Sequence, residues 1–199
     1  SSLTTSLEKL GHTIEPLAPS LFAFDIKDER LKELAGIAVK NASVRIPPKG
    51  KFQTGPALIT PRGLSGPAIL KLSAWEARQL NELNYEFQIE LNWLGDRKES
   101  DLQSLFSRLR NQHGQQLIRT KVFEGLPRRL WEKILKYLKM SETMQWAQLP
   151  KKMEAELIQE LISARFQVSG KTMNKEEFVT CGGVRLKEVN FKKMESRLI

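Results

Sequence analysis

Two glycine-rich stretches carry the residue types best suited to chemistry. The first is Pro61-Arg62-Gly63-Leu64-Ser65-Gly66-Pro67, at a strand-to-helix turn. Its glycines permit positive φ or close approach of a ligand to the backbone. Ser65 can cap the helix that follows, and the first free N–H groups of such a helix favour an anion. On spacing alone, a capped turn that needs no ligand is the simpler reading, and no Gly-Lys-Ser/Thr follows to make a Walker-type phosphate loop. The second stretch is Thr180-Cys181-Gly182-Gly183-Val184. Adjacent glycines at a strand end mark a tight turn or a ligand passing close to the backbone. Cys181 has no histidine near it in sequence and reads as a buried or incidental thiol. His12 follows Gly11 and His113 precedes Gly114, positions of helix ends or turns. One cysteine and two histidines far apart in sequence offer neither a Cys-based zinc site nor a local His pair, so no metal site and no catalytic residue is assigned.

The elements that must position these stretches fall into three blocks. Over residues 14–94 the signals are mostly β. Prolines at 16, 19, 47, 48, 56, 61 and 67 argue against long helices. Tyr85, Phe87, Ile89, Leu91 and Trp93 alternate with polar residues, the clearest strand in the chain. Ile37 and Val39 share one parity and Val44 and Ile46 the other, so Asn41 to Ser43 reads as a bulge or as a turn between two strands. Pro67 opens one helix, with Ile69, Leu70, Leu72 and Trp75 following at helical spacing.

Residues 95–164 are helical in pattern. One helix runs through Leu102, Leu105, Phe106 and Leu109, with Ser100 or Asp101 as its N-cap. A second opens at Leu126-Pro127 and a third at Pro150. Beyond Arg165 the chain returns to β, with Phe166 and Val168 on one strand, a turn at Ser169-Gly170 and another strand over Glu177 to Thr180. The fold class expected is α+β: an antiparallel, barrel-like β part from residues 1–94 and 165–199, with a small all-helical part inserted at 95–164.

The chain has 199 residues, 32 Lys+Arg against 23 Asp+Glu, and a net charge of +9. No apolar run approaches the ~20 residues of a membrane span, and no basic-then-apolar leader opens the sequence, so a cytoplasmic location is expected. The charges come in pairs such as Arg128-Arg129 and Lys151-Lys152, and solvated faces explain them more simply than a nucleic-acid surface. Both ends read as joins to further segments.

Three strings resemble one family in the family's own order. Leu10-Gly11-His12-Thr13-Ile14 with Pro16, Pro19 and Leu21, then Gly63-Leu64-Ser65-Gly66-Pro67-Ala68, then Thr180-x-Gly182-Gly183-Val184 with Glu188-Val189 and Met194-Glu195-Ser196, are similar to signatures of the BaiN-like (YhiN-like, aminoacetone-oxidase-like) FAD-dependent oxidoreductases. Members of that family have a Rossmann-type FAD domain split by a long insert. The insert pairs a barrel-like part with a helical part that resembles helix-two-turn-helix modules. This chain resembles the insert.

The resemblance implies that the chain caps the substrate side of a flavin site, with the FAD-binding domain of the same parent chain as partner. FAD is the implied cofactor, NAD(P)H the second candidate, and a small molecule the implied substrate. Gly63, Leu64, Ser65, Gly66 and Pro67 are expected on the substrate side, and Thr180, Gly182, Gly183 and Val184 beside the cofactor. Gly182→Val is then expected to weaken flavin retention without unfolding the chain. Where the family often has Thr-His-x-Gly, this sequence has Thr60-Pro61-Arg62-Gly63, so no catalytic histidine carries over; Lys193 stands where the family has Thr. Two alternatives have lower standing. One is a nucleic-acid module using Arg128, Arg129 and Lys133 of the helical segment, which carries 13 Lys/Arg against 9 Asp/Glu over residues 96–164. The other is a dimerisation domain.

Overall fold

The computed structural model describes residues 2–120, 123–172 and 179–198. Helix α1 (Ser2–Lys9) leads into β1 (Ile14–Ser20), β2 (Ala23–Asp25), β3 (Ala38–Arg45), β4 (Gln53–Thr60) and β5 (Gly63–Ser65). Helices α2 (Pro67–Trp75) and α3 (Ala77–Glu82) precede β6 (Phe87–Asn92). Three helices follow: α4 (Glu99–His113), α5 (Arg128–Tyr137) and α6 (Lys151–Ile162). The chain then forms β7 (Ala164–Val168), β8 (Gly170–Thr172), β9 (Val179–Val184), β10 (Val189–Asn190) and β11 (Glu195–Ser196). Of the strand expected over 177–180, Glu177 and Phe178 lie outside the described residues.

Seven strands form one antiparallel sheet in the order β7-β6-β3-β4-β5-β2-β8. The two strands at its ends are consecutive in sequence and separated by Ser169 alone, so the sheet must curl until its edges adjoin. Ser169 holds that corner by donating its N–H to Asp25 O at 2.9 Å. The result, among the described residues, is a near-closed antiparallel barrel with six α-helices, the α+β class expected. β1 pairs with β9, and β10 with β11, in two small separate sheets. No helix among the described residues is long and apolar enough to cross a membrane.

The bulge at Asn41 is real: β3 is one strand whose register against β4 shifts between Val39 and Ala42. The strand read from Tyr85 starts later, at Phe87, because Asn84 and Tyr85 turn through φ of 51° and 62°. Its alternation is also incomplete. Glu90 and Asn92 are buried along with Phe87, Ile89 and Leu91. Glu90 is compensated by Arg45, whose Nη2 donates to both carboxylate oxygens at 2.9 and 3.0 Å. Asn92 accepts Leu94 N–H and donates to Arg97 O, each at 2.9 Å.

Prolines mark three helix starts as read: Pro67 is the first residue of α2, and Pro127 and Pro150 are the caps of α5 and α6. Two caps differ. Gly66, not Ser65, caps α2, and no side chain bonds its first turn. Lys98, not Ser100 or Asp101, caps α4, where the Asp101 carboxylate reaches back to accept Lys98 N–H at 2.8 Å.

Short 3-10 turns at Ile118–Thr120 and Trp146–Gln148 pack Trp146 against Phe106, which also stacks on Phe123. Trp131 meets Phe123 edge-on. Trp131 Nε1 donates to Ile118 O at 3.2 Å, whereas the buried Nε1 of Trp146 has no partner among the described residues. Trp131→Phe removes a buried hydrogen bond and Trp146→Phe removes none among the described residues. Urea titration is expected to show Trp131→Phe the costlier by about 1–2 kcal/mol; equal losses would contradict this.

Arg30 ties the loop after β2 to the helices. It is buried, donates to Asp28, to Glu160 of α6 at 2.8 Å and to Arg165 O, and lies 4.0 Å over the Phe166 ring. Burial disfavours the Asp28 carboxylate, but hydrogen bonds from Arg30 outweigh it and leave the pKa lowered. Burial likewise opposes the charge of Glu154, and bonds from Arg110 and Lys151 again win. Carboxylates with lowered folded pKa values add stability that is complete above the ordinary value of ~4 and lost as pH falls through the lowered one. The melting temperature is therefore expected to be flat from neutral pH to about 5 and to drop below about 4. A melting temperature unchanged at pH 3 would contradict it.

Candidate functional groove

The two stretches singled out in the sequence lie in different sheets. Gly63 is on β5 inside the barrel wall, and a Cβ there would come within 2.2 Å of Phe24 O and 2.6 Å of Ile26 N. Leu64 is fully buried, and Ser65 pairs with Leu58 of β4. At Gly66 a Cβ would meet Pro56 O at 2.8 Å, and one on Gly55 would sit 3.4 Å from Ala68 N, so strand β4 lies against the first turn of α2. Pro67 is exposed at the helix start. Of these five residues, Gly63 also lines a second groove of about 660 Å³, where Asp25, Asp28 and Glu29 balance Lys27, Lys32 and Arg62.

The second stretch does line a cationic groove. β9 runs antiparallel to β1, with Ile14 opposite Val184, Glu15 opposite Gly183 and Ala18 opposite Cys181; the register shifts between Glu15 and Ala18. Beside this ribbon is a groove of about 600 Å³ lined by Cys181, Gly182, Gly183, Val184, Arg185, Leu186, Lys187, Glu15 and Arg78. Thr180, paired with Pro19, is not part of the lining. Cys181 is half-buried at the groove wall rather than buried. Three cations face one carboxylate. Arg185 Nε donates to Glu15 at 2.9 Å, and that bond raises the guanidinium's pKa. An anionic group with several oxygens suits such a wall, because guanidinium forks bind phosphate in two-point fashion. Among the described residues no group of three or more His, Cys, Asp or Glu could hold a metal ion.

The glycines of this ribbon have different reasons. Gly182, at φ 109°, would place a Cβ 2.3 Å from Pro16 O, whereas Gly183, at φ 119°, faces open space. Gly182→Val therefore tests the ribbon itself, and the expectation that it spares the fold gives way to this clash. Gly183→Ala is the cleaner probe of the groove. Gly182→Ala is expected to cost ~2–3 kcal/mol and Gly183→Ala ~1 kcal/mol. Amide exchange should speed up across β1 and β9 in the first variant and not the second; equal behaviour would refute the distinction.

Sequence reasoning missed what anchors the groove. His12 is buried; its Nδ1 meets Glu188 Oε2 and its Nε2 meets Ser196 Oγ, each at 3.1 Å. Glu188 also accepts Thr13 N–H at 2.9 Å, the leading cause of its lowered pKa. The clasp joins the segment after α1 to the segment after β9. All three residues were visible inside the resembling strings, but only as letters, since 176 and 184 positions separate His12 from its partners. Arg78 carries no signal in the sequence; it arrives on α3, which packs against β1.

The comparisons agree with this architecture. The family described as "HI0933-like protein barrel and H2TH domain" matches residues 18–179. The ribosomal RNA dihydrouridine synthase of Escherichia coli (strain K12) is 31% identical over 196 residues, which is 96% of this chain and 46% of that protein. The chain thus spans about half the length of this curated relative. With the match covering most of its length and the barrel and helices in place, the chain belongs to the HI0933-like barrel and H2TH domain family, part of the HI0933/BaiN-like flavoproteins.

Proposed function

We propose that this chain is the substrate-side domain of a flavin-dependent oxidoreductase and that the substrate is a uridine within ribosomal RNA. The observation that carries the flavin part is the groove at Gly182 and Gly183, with Arg78, Arg185 and Lys187 on its wall. The terminal segments also expose Leu3, Leu10, Leu186, Phe191, Met194 and Leu198, each at least 50% accessible, and Leu186 lines the groove. Exposed apolar side chains of this kind fit contact with an FAD-binding domain of the same parent chain. The RNA part is supported by the named activity of the relative and by the net charge of +9.

FAD reduced by NAD(P)H would supply the hydride for one carbon of the uracil C5=C6 bond, and a proton drawn from solvent would complete the saturation at the other. Within this chain, the Gly183 backbone leaves the groove open for close approach. Arg78 and Lys187 neutralise phosphate, Arg185 is steadied by Glu15, and the His12 clasp fixes the spacing of the two terminal segments. Gly182, Gly183, Val184 and Thr180 remain the cofactor-side residues of the proposal. The turn at Gly63 to Pro67 contributes through the barrel that carries the substrate surface. An RNA substrate of this kind fits a cytoplasmic location.

The test is the full-length natural polypeptide. A flavin spectrum that is released on denaturation, with NAD(P)H-dependent appearance of dihydrouridine in ribosomal RNA by mass spectrometry, is expected. A colourless folded protein that FAD does not reconstitute overturns the flavin reading. A flavoprotein that leaves ribosomal RNA unchanged overturns the substrate.

A further inference from the structure

Over residues 34–75 the chain carries six Lys/Arg and no Asp or Glu. This block builds β3, β4, β5 and α2, so the basic excess is not evenly spread: one side of the barrel is free of acidic sequence. At the tip of the β3–β4 hairpin, residues 46–52 place Lys49, Lys51 and Phe52 in solvent, and Phe52 is 43% exposed. The Arg45 guanidinium lies 4.5 Å from the centre of the Phe52 ring and is itself held by Glu90. That carboxylate, reaching in from β6, is buried and already engaged, so it does not offset the exposed lysines. A further cation, Lys71, comes from α2 and donates to Thr54 O at 3.2 Å, two residues beyond Phe52.

We propose that this hairpin tip is a contact for single-stranded RNA, with a base stacked on Phe52 and neighbouring phosphates on Lys49, Lys51 and Lys71. The proposal deepens the RNA part of the function above and rests on it. An aromatic ring set among spaced cations matches the alternation of base and phosphate in an unpaired strand. The guanidinium behind the ring keeps it from folding back onto the barrel, and Pro47 and Pro48 restrict the loop, so little freedom is lost on binding. A lipid surface would need a broader apolar area here, and between residues 46 and 52 the one exposed large apolar side chain is Phe52.

Fluorescence anisotropy of a short labelled oligouridine with this chain, over a range of salt, tests the assignment. Phe52→Ala is expected to weaken binding about tenfold while Phe52→Trp retains it. Lys49→Ala with Lys51→Ala is expected to reduce the salt slope by about 1.4, at ~0.7 per phosphate contact on a single strand. Unchanged melting temperatures would show that these exposed positions leave the fold intact. Three results would overturn the site: wild-type affinity in both sets of variants, loss of binding in Arg128→Ala/Arg129→Ala alone, or binding to anionic phosphatidylglycerol vesicles without binding to the oligonucleotide. Flavin content does not enter this assay. Its failure removes the hairpin and leaves the flavin reading standing, whereas a colourless parent protein removes the flavin reading and leaves this one standing.

Discussion

Arg30→Ala is expected to destabilise the chain by about 3–5 kcal/mol, roughly a 10 °C fall in melting temperature for a domain of this size. The guanidinium neutralises Asp28 and Glu160 together, and its hydrogen bonds to both outweigh the burial that opposes its charge. It also covers the Phe166 ring and satisfies Arg165 O. Truncation leaves two partly covered carboxylates without their shared cation and the Arg165 carbonyl without this donor. Arg30→Lys keeps the charge but cannot form the fork or the flat stack, so it should recover only part of the loss. Equilibrium unfolding in urea reads both variants. A midpoint for Arg30→Ala within error of the parent would show that this joint contributes nothing.

The second large effect is at Gly63. Replacement by alanine puts a methyl group against two backbone atoms, Phe24 O of β2 and Ile26 N just beyond that strand, at a φ of 152° that side chains rarely adopt. Neither atom belongs to a flexible side chain, so the strands must part. Gly63→Ala is expected to cost ~3 kcal/mol or more and to lower the yield of folded protein. This differs from the outcome for a residue that merely faces a ligand, where the fold survives and affinity falls. A normally folded Gly63→Ala chain would return the position to the ligand reading.

The sequence showed the elements wherever local rules govern them. Alternation gave β6, a parity change gave the bulge in β3, and prolines at 67, 127 and 150 marked three helix starts. It did not show what depends on distant partners. Glu90 looked solvent-facing because the arginine that neutralises it stands 45 positions away. The 3-10 turn that buries Trp146 is three residues long, too short to show a period. At the site, glycine letters at 182 and 183 were legible, but their different reasons were not: one is crowded by Pro16 O and the other is open. The cations of the groove come from α3 and from the segment after β9, and no linear motif joins them.

The way the barrel closes also sets an order of assembly. Strands β6, β3, β4, β5 and β2 are made first and can pair among themselves, but β6 and β2 then present bare edges. Both edges are covered by one short stretch, residues 164–172, that leaves the ribosome only after residues 93–163 have been made. At ~5–20 residues per second the half-built sheet waits for several seconds. The helices in between make mostly local contacts and can form during that wait. Nascent chains would therefore be most prone to edge-to-edge association in this interval, and slower translation of the helical segment would lengthen it.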